Sequence, residues 1–74
     1  MDRFQVGEEL EFIEPAHVDG RLIEKGTKVR VGYIEDEVLE ATVMVVVLGA
    51  EPMQTLAVPN STLMLHCRRV PPPR

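Results

Sequence analysis

Ala41-Thr42-Val43-Met44-Val45-Val46-Val47-Leu48, closed by Gly49, is rich in β-branched side chains and contains neither Pro nor internal Gly. A branched Cβ crowds the preceding turn of a helix but packs well on a pleated strand, so residues 41–48 are expected to form a central strand inside a sheet. Alternation assigns its faces. Leu39, Ala41, Val43, Val45 and Val47 share one side and make the better core, while Glu40 and Thr42 mark the other. Met44, Val46 and Leu48 fall on that second side, which predicts a small apolar patch pointing away from the core.

Toward the N-terminus, residues 27–33 carry the cleanest alternation, with Val29, Val31 and Tyr33 facing one way and Lys28, Arg30 and Gly32 the other. They are expected to form the second strand. Leu10 and Phe12, interleaved with Glu9 and Glu11, predict the first. Between them, residues 14–26 read as a long excursion folded back on itself: Pro15 removes a ladder donor, Asp19-Gly20 supplies a tight turn, and Arg21-Leu22-Ile23 can add a short strand. The acidic segment Glu35-Asp36-Glu37 is expected to be a loop, with enough helix formers over residues 35–41 for a single helical turn.

Toward the C-terminus, Gly49-Ala50-Glu51-Pro52 reads as a hairpin connection into a fourth strand at residues 54–58, with Leu56 and Val58 inward. Pro59-Asn60-Ser61 should break it as a turn or one turn of 3₁₀-helix. Residues 62–70 are expected to form the fifth strand, with Leu63, Leu65 and Cys67 on one face and Met64, His66 and Arg68 on the other. The organisation predicted is an N-terminal arm at 1–7, one folded domain at 8–70, and a disordered Pro-rich tail at 71–74.

The chain has 74 residues, 45% of them hydrophobic and 27% charged, which suits one small globular domain. Such a chain buries only about 60% of the surface it exposes when unfolded, so its core is small. One Cys excludes an internal disulfide and any paired Cys-x-x-Cys zinc framework. Met1-Asp2-Arg3-Phe4 and the residues after it lack the charge and apolar pattern of a secretory signal, and no apolar run is long enough to span a bilayer. A cytoplasmic protein that does not enter a membrane is the expectation.

Five short strands, a long excursion after the first, and a Pro-Asn turn before the last resemble the layout of an SH3-like small barrel. Lys25-Gly26-Thr27-Lys28-Val29-Arg30-Val31 is similar to the Lys-Gly-x-x-Val-x-Val run of KOW-type SH3-like barrels. The fold class expected is therefore all-β, a five-stranded SH3-like small barrel; a five-stranded OB-like barrel is disfavoured by the short link between the third and fourth strands. A KOW-like resemblance implies nucleic-acid binding, for which Lys25, Lys28, Arg30 and Arg68 would form a basic stripe. A net charge of −4 and the absence of Trp argue against it. The same scarcity of aromatics argues against a groove for Pro-rich peptides.

No cofactor or metal is expected. His66 and Cys67 are adjacent, so on a strand they would point to opposite faces, and Cys67 alternates with leucines as a small core residue does. No nucleophile motif or glycine-rich phosphate loop frames a catalytic group, which predicts a non-enzyme. What remains is a protein-binding module that contacts a partner protein, or a second copy of itself, through Met44, Val46, Leu48 and an outward Met64.

Overall fold

The computed structural model describes residues 4–71. Along the chain lie β1 (Glu9–Phe12), β2 (Ala16–Val18), β3 (Arg21–Ile23), β4 (Lys28–Glu35), β5 (Thr42–Val47), β6 (Gln54–Pro59), α1 (Asn60–His66) and β7 (Cys67–Arg69). Five strands make one sheet in the order β6-β5-β4-β1-β7, with every neighbouring pair antiparallel. Among the described residues, the other two, β2 and β3, pair only with each other.

Neither sheet closes. β6 and β7 occupy opposite edges of the larger one and no ladder among the described residues joins them, which overturns the expected SH3-like barrel and the family resemblance built on it. The chain is instead an all-β domain of two open sheets. The cause lies in residues 60–66, which coil into α1 where the sequence predicts a turn at 59–61 and strand from residue 62. That leaves β7 only three residues long, too short to wrap from β1 round to β6.

Alternation hides this helix. Leu63, Leu65 and Cys67 mimic a strand face, yet residues 63–66 have no branch at Cβ and the segment follows Pro59, whose φ of −59° suits a helix boundary. In α1 only Leu63 is buried, and Leu65 is 71% exposed. The first turn is capped from outside the helix: the Glu40 carboxylate accepts from Ser61 N–H at 3.0 Å and from Ser61 Oγ at 3.2 Å.

The inner face of the larger sheet follows the predicted parity. Leu10 pairs with Val29 and Val29 with Val47; Val31 pairs with Val45 and Val45 with Leu56; Val43 pairs with Val58. Leu10, Val29, Val31, Val43, Val45 and Val58 are each at most 1% exposed. The β2–β3 hairpin adds Ala16, Val18 and Ile23 to this core, α1 adds Leu63, and the N-terminal arm adds Phe4. Asp19 and Gly20, with φ of 51° and 73°, make the hairpin turn predicted for them, both in the left-handed region that a two-residue type I′ connection requires.

Besides Leu65, two face assignments need correction. Leu39 is 97% exposed, because β5 begins at Thr42 and the alternation that put Leu39 inside does not extend into the loop before it. Tyr33 is 57% exposed, because the β4–β5 register slips by one residue between Val31 and Tyr33. Such a bulge turns the following side chain to the opposite face and brings Ile34 against the core in its place. β5 has a neighbour on each side, as predicted, although β4 is the middle strand. The predicted tail falls mostly at residues 72–74, outside the described residues, as do residues 1–3 of the predicted arm.

Candidate functional site: the outer face of the sheet

The side of the larger sheet turned away from the core carries no buried side chain among the described residues. The ladders set out its rows. Arg68 lies opposite Glu11 and Glu11 opposite Lys28; Glu9 lies opposite Arg30, Arg30 opposite Val46, and Val46 opposite Thr55. Tyr33 lies opposite Met44 and Met44 opposite Ala57. The face thus divides into a charged half over β7, β1 and β4 and an apolar half over β4, β5 and β6.

In the charged half, bases and acids alternate across strands. Arg68 donates from Nε and Nη2 to Glu11 Oε1 at 3.1 and 2.8 Å. Arg30 Nη2 lies 3.8 Å from Glu9 Oε1. Each pair is partly exposed and so contributes no more than about 1 kcal/mol, but together they neutralise the face locally. Of the four residues expected to form a basic stripe, Lys28, Arg30 and Arg68 share this face, interleaved with Glu9 and Glu11. Lys25 sits apart in the turn between β3 and β4.

In the apolar half, Met44 and Val46 are half-buried on β5, and Leu48 is half-buried just beyond it, its N–H donating to Lys28 C=O at 2.9 Å. Tyr33 joins them through the bulge. Gly32 keeps the surface low between them: a Cβ there would lie 3.6 Å from Met44 O and 3.8 Å from Val46 Cγ2. Met64, expected to join this patch, is carried on α1 instead, 46% exposed, with its Sδ 3.3 Å from Asn60 Nδ2. Sequence reasoning missed Tyr33 as part of the face; the signal was Gly32, since an isolated glycine inside a strand pattern often marks a bulge.

Elsewhere the chemistry is sparse. Phe4 lies under the Arg69 guanidinium, 4.9 Å from Cζ to the ring centroid, and Arg69 also bonds the Glu8 carboxylate. Arg69 and Glu8 border a cleft of about 600 Å³ that also takes in Val6, Glu9, Arg30 and Val70. His66 Nδ1 is buried and lies 3.3 Å from Glu14 Oε1, near enough for an ion pair but without the geometry of a hydrogen bond. Burial pushes the Cys67 thiol up from 9.0 to about 12, which suits a packing role and disfavours a nucleophilic one. No three His, Cys, Asp or Glu residues among the described residues gather where they could hold a metal ion. No helix among them is long and apolar enough to cross a membrane.

Comparison with known proteins adds no constraint: no protein-family model, curated protein or solved structure matches the chain significantly.

Proposed function

We propose that this chain is a small non-enzymatic protein-binding module of the cytoplasm, an adaptor or accessory subunit, that meets its partner protein through the outer face of β5. The contact residues are Met44, Val46 and Leu48, with Tyr33 beside them. The observation that supports this reading is the division of the outer face itself. A contiguous apolar strip containing a Tyr and a Met is bordered by the paired charges of Glu9, Arg30, Glu11 and Arg68. Interfaces favour that arrangement, since aromatic and Met side chains release water at the centre while polar groups at the rim set orientation.

Affinity capture with the wild-type chain, Met44→Glu and Val46→Lys tests the proposal, with Leu65→Glu as an exposed control on α1. The expected result is a partner held by the wild type and the control and lost by both sheet variants, all four being equally resistant to urea. If Met44→Glu and Val46→Lys unfold the chain, or hold the same partners as the wild type, the outer face is not the contact surface.

A further inference from the structure

We propose that two copies of this chain associate by pairing their β6 strands antiparallel, edge to edge, so that the two five-stranded sheets become one continuous sheet across a two-fold axis. The argument starts from which backbone groups of β6 are free. Asn60 N–H donates to Ala41 C=O at 2.9 Å, and the β5–β6 ladder then runs without a slip from Thr42–Pro59 to Val47–Gln54. In an antiparallel pair the bonded positions alternate, so Gln54, Leu56 and Val58 turn their N–H and C=O groups toward β5, and Thr55 and Ala57 turn theirs away. Among the described residues, nothing pairs with the backbone of Thr55 or Ala57.

Edge strands are normally protected by charged side chains, bulges, prolines or brevity. The opposite edge, β7, is three residues long and carries Arg68 and Arg69. β6 has six residues, an unbroken register and no charge of its own, with Pro59 only at its end. Arg21 Nη2, which donates to Gln54 Oε1 at 2.8 Å, meets the strand at its first residue.

A second copy fits this edge in both charge and register. The chain as a whole carries −4 and repels itself, but residues 52–60 carry no ionisable side chain, so two copies meeting along them put no like charges opposite each other. With the two-fold axis at Leu56, Thr55 of each copy faces Ala57 of the other, and both free N–H groups of each strand find a carbonyl. Gln54 then faces Val58, and the 73%-exposed Met53 faces Pro59. Thr55 and Ala57 sit beside Val46 and Met44 on the outer face, but the edge contact is made by backbone groups in the sheet plane, so exchange at the Thr55 and Ala57 amides tells it apart from the outer-face contact.

The test combines sedimentation equilibrium with amide exchange followed by nuclear magnetic resonance over a range of protein concentrations. Self-association is expected, with the Thr55 and Ala57 amides exchanging about tenfold more slowly or better when associated. The Thr55→Lys/Ala57→Lys double variant puts like charges opposite across the axis and should weaken association about tenfold, while Leu65→Glu, at an exposed position on α1, leaves it unchanged. If the double variant does not fold, exchange at the two wild-type amides decides the matter. The proposal is overturned by a monomer at millimolar concentration, by a dimer that leaves those two amides unprotected, or by protection that develops only when a different protein is added.

Discussion

Val31 and Tyr33 are separated only by Gly32 in β4, yet they face opposite sides of the sheet, Val31 1% exposed and Tyr33 57% exposed. The register slip between them is the reason, and it moves an aromatic ring from the core to the outer face beside Met44. Val31→Ala should therefore cost about 2 kcal/mol by urea denaturation, and Tyr33→Ala less than about 0.5 kcal/mol. Gly32→Ala meets only ordinary contacts and should be neutral or stabilising by about 0.5 kcal/mol. Equal costs at Val31 and Tyr33 would mean that the bulge is absent.

α1 makes a sharper prediction about two leucines that a strand would place side by side. Leu63 is fully buried, so Leu63→Ala should cost about 3 kcal/mol, enough to unfold much of a domain this small. Leu65→Ala should change stability by less than about 0.5 kcal/mol. Thermal unfolding of the two variants reads the difference directly.

Cys67 gives the chain a pH dependence at the alkaline end. Its folded-state thiol is raised by burial from 9.0 to about 12, so above pH 9 the unfolded chain loses this proton while the folded chain keeps it. Unfolding is then favoured as pH rises: the contribution is fully present below pH 9 and is lost progressively toward pH 12. Cys67→Ala should flatten the fall in melting temperature over that range. At pH 8 the wild-type thiol should react with a disulfide reagent far more slowly than an unfolded control.

The interleaved charges predict how the outer face meets nucleic acid. With Glu11 bonded to Arg68 and Glu9 beside Arg30, single-stranded RNA should show no measurable binding at low salt. Glu9→Gln/Glu11→Gln exposes Lys28, Arg30 and Arg68 as an unopposed basic stripe. That variant alone should bind, with an affinity that falls steeply as salt rises; fluorescence anisotropy distinguishes the two.

Much of this architecture is legible in the residues themselves. Period-two alternation located the strands that became β1 and β4, β-branched composition located β5, the connection at residues 49–52 led into β6, and parity identified Val43 and Val45, with Leu56 and Val58, as inward. Asp19-Gly20 announced its turn for an equally local reason, since those residue types tolerate the left-handed conformation. Met44, Val46 and Leu48 follow from the same parity, although the burial of a half-exposed strip depends on the strands beside it. Tyr33 and Leu39 were misassigned because alternation holds only within an unbroken ladder. One lost it to a bulge, the other by lying outside the strand.

The amino-acid sequence by itself determined that the segments of β1, β4, β5 and β6 extend and which of their side chains, Tyr33 apart, prefer the interior, because steric crowding at Cβ and burial preference act over a few neighbouring residues. Only the tertiary structure decided that residues 60–66 coil, with the carboxylate of Glu40 receiving their first turn, and that β7 is consequently too short to close a barrel. It also decided which strand stands at an edge with Thr55 and Ala57 unpaired. Those outcomes depend on where distant parts of the chain find hydrogen-bond partners, and no local pattern carries that information.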